Sequence, residues 1–149
     1  SDELFSIHMA EAEETGFEGM YQLLTQYKLS KESQTHTSIL FDRNSGALNI
    51  KGPHTPLFWS ADVEQFLEPE DGFLKASAGD YLFLFNQGIL RFYKGHKKVA
   101  DLISKVLKVF ASDGLETTTA MLHKELSFAT KRKDLEEDIH LLCFQILNP

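Results

Sequence analysis

Residues 79–88 read GDYLFLFNQG, and this stretch decides the fold. The glycine at its start predicts a turn, and five consecutive apolar residues follow at positions 81–85. A continuous apolar run of that length is typical of a strand buried on both faces. The strand then ends in Asn86, Gln87 and Gly88. Polar residues at the end of a buried strand often carry function, yet a metal or proton site favours a carboxylate over an amide.

The sequence around this strand predicts several more strands. Residues 36–43 and 47–51 flank Asn44, Ser45 and Gly46, which is a hairpin signal. Short apolar runs at 4–9 and 57–59, and a longer one at 139–147, predict further strands. Between them, the acidic segment 60–72 predicts a loop with a turn at its PEDG sequence.

Helical spacing of apolar residues appears in three segments. Residues 97–111 predict an amphipathic helix that is closed by Gly114. A second helix is expected from a cap at Thr117 or Thr118 through Phe128, and a third around residues 20–27. Strands covered on both faces, beside segregated helices, indicate an α+β layered sandwich.

Length and composition indicate one folded domain spanning residues 1–149. The chain has 42% hydrophobic residues and opens abruptly at Ser1, as a fragment of a longer signalling protein would. Cys143, the single cysteine, lies in an apolar run, which excludes an internal disulfide and favours a packing role. No apolar run reaches the roughly 20 residues of a membrane span, and we expect a cytoplasmic protein without membrane insertion.

The net charge of −7 argues against nucleic-acid binding. The longest basic run, at residues 131–133, is followed at once by four acidic residues within 134–138, and no basic stripe is evident. We therefore expect a protein partner or a homodimer, with no nucleic acid.

Three motifs, in this order and spacing, resemble the PPM-type serine/threonine phosphatases. They are GALNIKGPHTPLFW at 46–59, GDYLFLFNQGIL at 79–90 and EEDIHLLCFQIL at 136–147. The second is similar to the family pattern G-D-x-L-x-L-x-T-D-G and the third to D-D-x-T-L-L. The most similar branch is the bacterial SpoIIE-like one, which acts in partner-switching regulation. The resemblance covers residues from about 37 to 146.

This resemblance implies an αββα sandwich of two mostly antiparallel sheets flanked by helices. It also implies Mn²⁺ or Mg²⁺ ions that activate water to attack phosphoserine or phosphothreonine, because hard cations need oxygen ligands and negative charge. One family aspartate falls on Gln87, which is neutral. Glu137 and Asp138 match the last acidic pair, and Glu13 matches an upstream ligand position. The family's A-G-H histidine, a candidate binding residue, falls on His54.

The loss of charge at Gln87 favours a degenerate phosphatase domain without a catalytic residue, one that acts as a regulatory or protein-binding module in bacterial signalling. On this reading no cofactor is expected. Two alternatives stay open. One is an active Mn/Mg-dependent phosphoserine/phosphothreonine phosphatase, and the other is an α+β binding domain unrelated to phosphatases.

Overall fold

The computed structural model describes residues 5–11, 38–42, 45–51, 56–131 and 139–147. Its strands are β1 (Phe5–Glu11), β2 (Ser38–Phe41), β3 (Ala47–Lys51), β4 (Leu57–Ser60), β5 (Gln65–Leu67), β6 (Phe73–Lys75), β7 (Tyr81–Phe85) and β8 (Ile139–Gln145). Its helices are α1 (Gln87–Tyr93), α2 (His96–Phe110) and α3 (Leu115–Thr130), with a 3₁₀ turn at Ala111–Asp113 between the last two. The helix expected around residues 20–27 lies outside the described residues.

The strands form two sheets. The larger sheet has the order β1-β8-β7-β4-β5, and the smaller one has the order β2-β3-β6. Strand β1 runs parallel to β8, and all other pairs are antiparallel. The chain is therefore an α+β protein with mostly antiparallel sheets, as the sequence predicts.

The large sheet separates two apolar cores. Because side chains alternate along a strand, Tyr81, Phe83 and Phe85 of β7 pack against the helices. Leu82 and Leu84 of the same strand pack against the smaller sheet. All five side chains are buried, which confirms the prediction of a strand covered on both faces. Helices, large sheet and small sheet thus form three successive layers.

The predicted hairpin is confirmed. Strands β2 and β3 pair with Phe41 opposite Leu48. The amide of Gly46 donates to the carbonyl of Asp42 (2.8 Å), and the amide of Asp42 donates to the carbonyl of Ala47 (2.8 Å). Gly46 has a φ of 77°, a left-handed conformation that glycine adopts without a steric cost.

The helix prediction at 97–111 is confirmed by α2, but the predicted cap of the next helix is wrong. Helix α3 begins at Leu115, and Gly114 (φ 100°) occupies the cap position. Thr118 lies inside the helix, where its buried hydroxyl donates to the carbonyl of Phe110 (3.1 Å). A glycine with positive φ turns the chain more sharply than a capping threonine does, so the helix starts earlier than the side-chain signal indicates.

Three short elements are missing from the sequence prediction. Helix α1 begins directly after β7, and β5 and β6 lie within or beside the acidic segment expected to be a loop. Trp59 of β4 pairs with Phe66 of β5, and their rings meet edge to face with centroids 5.2 Å apart. Strands of three residues carry too few side chains for an alternating pattern to stand out.

Candidate functional site

Asn86 joins the end of β7 to the start of α1 and to β8. Its side-chain oxygen accepts hydrogen bonds from the amides of Ile89 (3.3 Å) and His140 (3.0 Å). The backbone amide of Asn86 donates to the carbonyl of His140 (3.2 Å). The buried side chain of Asn86 therefore caps α1 and holds the start of this helix against the start of β8. These hydrogen bonds give Asn86 a structural role.

Gln87, the second amide, is the first residue of α1 and is half-buried. Strands β7 and β8 pair antiparallel, and Phe85 lies opposite Leu141 in the last pair. Gln87 follows this pair by two residues and begins the helix near Ile139, the first residue of β8. The junction between β7 and α1 thus lies beside the start of β8. A glutamine at this point offers a dipole and hydrogen bonds but no negative charge.

The remaining predicted site residues lie outside the described residues. Glu137 and Asp138 directly precede β8 in the sequence, and Glu13 follows β1. His54 falls between β3 and β4. The roles predicted for these four side chains stay predictions.

Within the described ranges, no three His, Cys, Asp or Glu side chains lie close enough together to hold a metal ion. Divalent cations such as Mn²⁺ and Mg²⁺ need several oxygen ligands with negative charge. At the β7–α1 junction the described side chains are Asn86 and Gln87, which are both neutral. This part of the site does not fit a two-metal centre.

At the other end of β7, Asp80 is buried and fully hydrogen-bonded. One carboxylate oxygen accepts from the amide of Ala61 (2.8 Å) and the other from the amide of Ser77 (2.7 Å). Burial raises the pKa of Asp80, and these two hydrogen bonds partly oppose the rise. The aspartate of the G-D motif therefore fastens two loops to the sheet.

Tyr81 links the sheet to the helices through its hydroxyl group. The hydroxyl donates to the carbonyl of Ala111 (3.0 Å) and lies 3.3 Å from the hydroxyl of Thr118. Burial raises the pKa of Tyr81. The apolar run 81–85 gives no sign of this network, since a buried tyrosine and a buried phenylalanine look alike in a hydropathy pattern.

Cys143 packs inside the helix-facing core, as predicted from its apolar surroundings. Burial raises the pKa of its thiol, which keeps the sulfur protonated and unreactive. Three of the four aromatic residues between positions 58 and 73 are also packed: Phe58 and Trp59 are buried and Phe66 is half-buried. Phe73 is 54% exposed.

Comparison with solved structures identifies this arrangement of sheets and helices. The phosphatase domain of the cell fate determinant SpoIIE from Bacillus subtilis, described as presoaked with Mn, superposes with a TM-score of 0.58 at 14% identity. The fold is that of the PPM-type phosphatases. A Mycobacterium tuberculosis structure with RsbU and RsbW domains shares the PPM-type fold, with a TM-score of 0.54 at 20% identity. The resemblance stated from the sequence motifs is thereby confirmed at the level of fold.

This chain spans only part of the length of the solved structures that it resembles. Each alignment covers 89% of this chain, but it covers 64% of the Bacillus chain and 41% of the Mycobacterium chain. No protein-family model matches the sequence, and no curated protein matches it at a significant level. Among the described residues, no helix is long and apolar enough to cross a membrane.

Proposed function

We propose that this domain is a degenerate PPM-type phosphatase domain that acts as a non-catalytic regulatory or protein-binding module in bacterial signalling. The observation that carries the proposal is the neutral Gln87 at the junction of β7 and α1, level with the start of β8. A carboxylate at this junction would be needed to hold a metal pair. An amide leaves too little negative charge for two divalent cations.

The register of β1 supports the same conclusion. Glu11 at the end of β1 pairs with Gln145, at the opposite end of β8 from Ile139. An extended strand from residue 139 to residue 145 is about 20 Å long. Glu13 follows Glu11 by two residues, which span about 7 Å at most. The described end of β1 therefore lies at the opposite end of β8 from Ile139.

The fold relatives favour a role in regulation by protein contact. One relative is a cell fate determinant, and the other combines RsbU and RsbW domains in one structure. A scaffold that keeps its two packed cores while lacking charge at a ligand position retains surfaces for binding but not the means of activating water. We therefore propose a protein partner, or a second copy of the chain, in the place of a phosphorylated substrate.

The second candidate function is an active Mn/Mg-dependent phosphoserine/phosphothreonine phosphatase. The feature that favours it is the acidic segment at residues 136–138, which directly precedes β8 and leads to the edge where α1 begins. Glu137 and Asp138 would then bind the metal, and other residues than those of the family motifs would supply the remaining metal ligands.

Phosphate release separates the two candidates. The domain is incubated with Mn²⁺ or Mg²⁺ and a phosphoserine peptide, beside the variants Glu137→Ala and Asp138→Ala. We expect no release above the peptide-only background from any of the three proteins. Release by the unmutated domain that disappears in both variants would establish the active phosphatase and end our proposal.

A further inference from the structure

The first two helices carry a charge opposite to that of the rest of the chain. Residues 87–111 contain six basic side chains and one acidic one, which gives a net charge of +5 within a chain of −7. All six basic residues are exposed: Arg91, Lys94, Lys97, Lys98, Lys105 and Lys108. The sequence did not predict a basic stripe here, because these residues are spaced along the chain and alternate with apolar ones.

Helix α2 collects four of these lysines on its outer surface. Lys97, Lys105 and Lys108 share one stripe at helical spacing, and Lys98 lies beside it. The opposite side of the helix is buried in the core through Val99, Ile103, Val106 and Leu107. Val109 lies next to the lysines and is 63% exposed. We call Lys97, Lys98, Lys105, Lys108 and Val109 the basic helix face.

Among the described residues, one ion pair involves the basic helix face. Lys97 forms an ion pair with Asp101 (3.5 Å), in which both side chains are largely exposed. Within the described ranges, Lys98, Lys105 and Lys108 form no ion pair. The basic helix face is therefore free to meet an acidic surface from outside.

The chain presents such an acidic surface where β5, an edge strand of the large sheet, leads to β6, an edge strand of the smaller sheet. Residues 61–73 contain five acidic residues and no basic one: Asp62, Glu64, Glu68, Glu70 and Asp71, all exposed. Val63, Leu67 and Phe73 are exposed in the same segment. Strand β5 pairs with β4, and Glu70 and Phe73 exchange two backbone hydrogen bonds of 2.9 Å. We call residues 61–73 the acidic edge.

We propose that the basic helix face of one copy binds the acidic edge of a second copy. The net charges are +5 for residues 87–111 and −5 for the acidic edge, and both surfaces include exposed apolar side chains. Opposite charges surrounding apolar contacts are the usual composition of a specific protein interface. Because each copy carries both surfaces, the contact is made either reciprocally across a two-fold axis or head to tail, and both arrangements raise the average mass above that of the monomer.

A nucleic acid fits the basic helix face less well than a protein does. With +5 on residues 87–111, the remaining residues carry −12, and they repel a long phosphate backbone. An exposed valine among the lysines has an apolar partner on the acidic edge but none on a phosphate chain. The inference stands apart from the catalytic question, because neither surface includes Gln87 or the start of β8.

Sedimentation velocity over a range of protein concentrations tests this interface. At low ionic strength we expect the average mass of the unmutated chain to rise with concentration above that of the monomer. At about 1 M salt, where charges interact over about 3 Å, we expect the monomer. Lys105→Glu with Lys108→Glu, and separately Glu68→Lys with Glu70→Lys, should each weaken self-association roughly tenfold or more.

A mixture of the two double variants gives the sharper result. In each double variant one surface keeps its charge and the other falls to a net charge of +1 or −1, so each should stay monomeric alone, while the mixture should associate through the two unchanged surfaces. The control variant is Lys124→Glu with Lys131→Glu, which makes the same charge change at exposed sites on and at the end of α3, outside both surfaces, and should associate as the unmutated chain does. Thermal melts check that each variant is folded.

Three results would overturn the proposal. They are a monomer at every salt concentration, self-association that the double variants leave unchanged, and a mixture that does not associate. A monomer that binds a short DNA duplex through Lys105 and Lys108 would assign the basic helix face to a polyanion instead. None of these measurements depends on metal or on phosphate release.

Discussion

The two ends of β7 are both closed by a buried polar side chain, but the side chains differ in charge. At the start, the carboxylate of Asp80 accepts one backbone hydrogen bond on each oxygen. At the end, the neutral amide of Asn86 accepts two on one oxygen, and the neutral Gln87 follows. The polar side chain at the start of β7 is charged, whereas the two at its end are neutral.

The two ends also differ in what the polar side chain contributes to the structure. Burial raises the pKa of Asp80, so keeping a carboxylate there has an energetic cost. The cost is partly offset by the hydrogen bonds to Ala61 and Ser77, which hold the turn around the start of β7. At the end of β7, the described polar residues are Asn86, which caps α1 and hydrogen-bonds to β8, and the neutral Gln87.

Removing the charge at the start of β7 should have the largest effect on folding. We expect Asp80→Ala to lower the free energy of unfolding by about 2 kcal/mol or more, because two partly buried backbone amides lose charge-assisted hydrogen bonds. Urea unfolding at neutral pH measures this. Asp62→Ala, at an exposed acid nearby, is the matched control and should change stability by less than about 0.5 kcal/mol. Equal effects of both substitutions would contradict the fastening role of Asp80.

Removing the amide at the end of β7 should have the next largest effect. Asn86→Ala deletes the cap of α1 and the bond to the amide of His140, and should cost about 2 kcal/mol in urea unfolding. Asn86→Asp keeps both acceptor positions and should recover most of that loss. If Asn86→Asp were as damaging as Asn86→Ala, hydrogen-bond acceptance would not be the role of this side chain.

The smallest effect is expected within β7 itself, where a hydroxyl meets the helices. Tyr81→Phe should cost about 1 kcal/mol, because the carbonyl of Ala111 loses its donor while the ring stays packed. Tyr93→Phe is the control, since the buried hydroxyl of Tyr93 has no hydrogen-bond partner within the described residues. Burial raises the pKa of Tyr93 to about 12. Comparable losses in thermal melts of the two variants would refute the Tyr81 linkage.

The sequence predicted the parts of the fold that long patterns encode. The apolar runs of β7 and β8, the hairpin of β2 and β3, and the amphipathic α2 are long enough for their periodicity to be read. The sequence did not predict α1, β5 and β6, which are too short for a periodic pattern of apolar residues to stand out. The start of α3 was misjudged because Gly114, through its backbone conformation, outweighs the capping threonines.

The candidate site was predicted only in part. The neutral residue at position 87 could be read from the motif, and the structure places it at a strand end beside β8. The double role of Asn86 could not, because the partner amide of His140 is 54 residues away. The basic helix face was also missed, since it exists only when the lysines are brought together by helical spacing.

The most direct test of the account is the thermal stability of the domain during titration with Mn²⁺, compared with that of Gln87→Asp. A ligand that binds only the folded state raises the melting temperature, and at a given concentration a tighter ligand raises it more. The account predicts no saturable rise for the unmutated domain and a larger response once a carboxylate replaces the amide. A saturable rise of several degrees in the unmutated domain, equal to that of the variant, would contradict it.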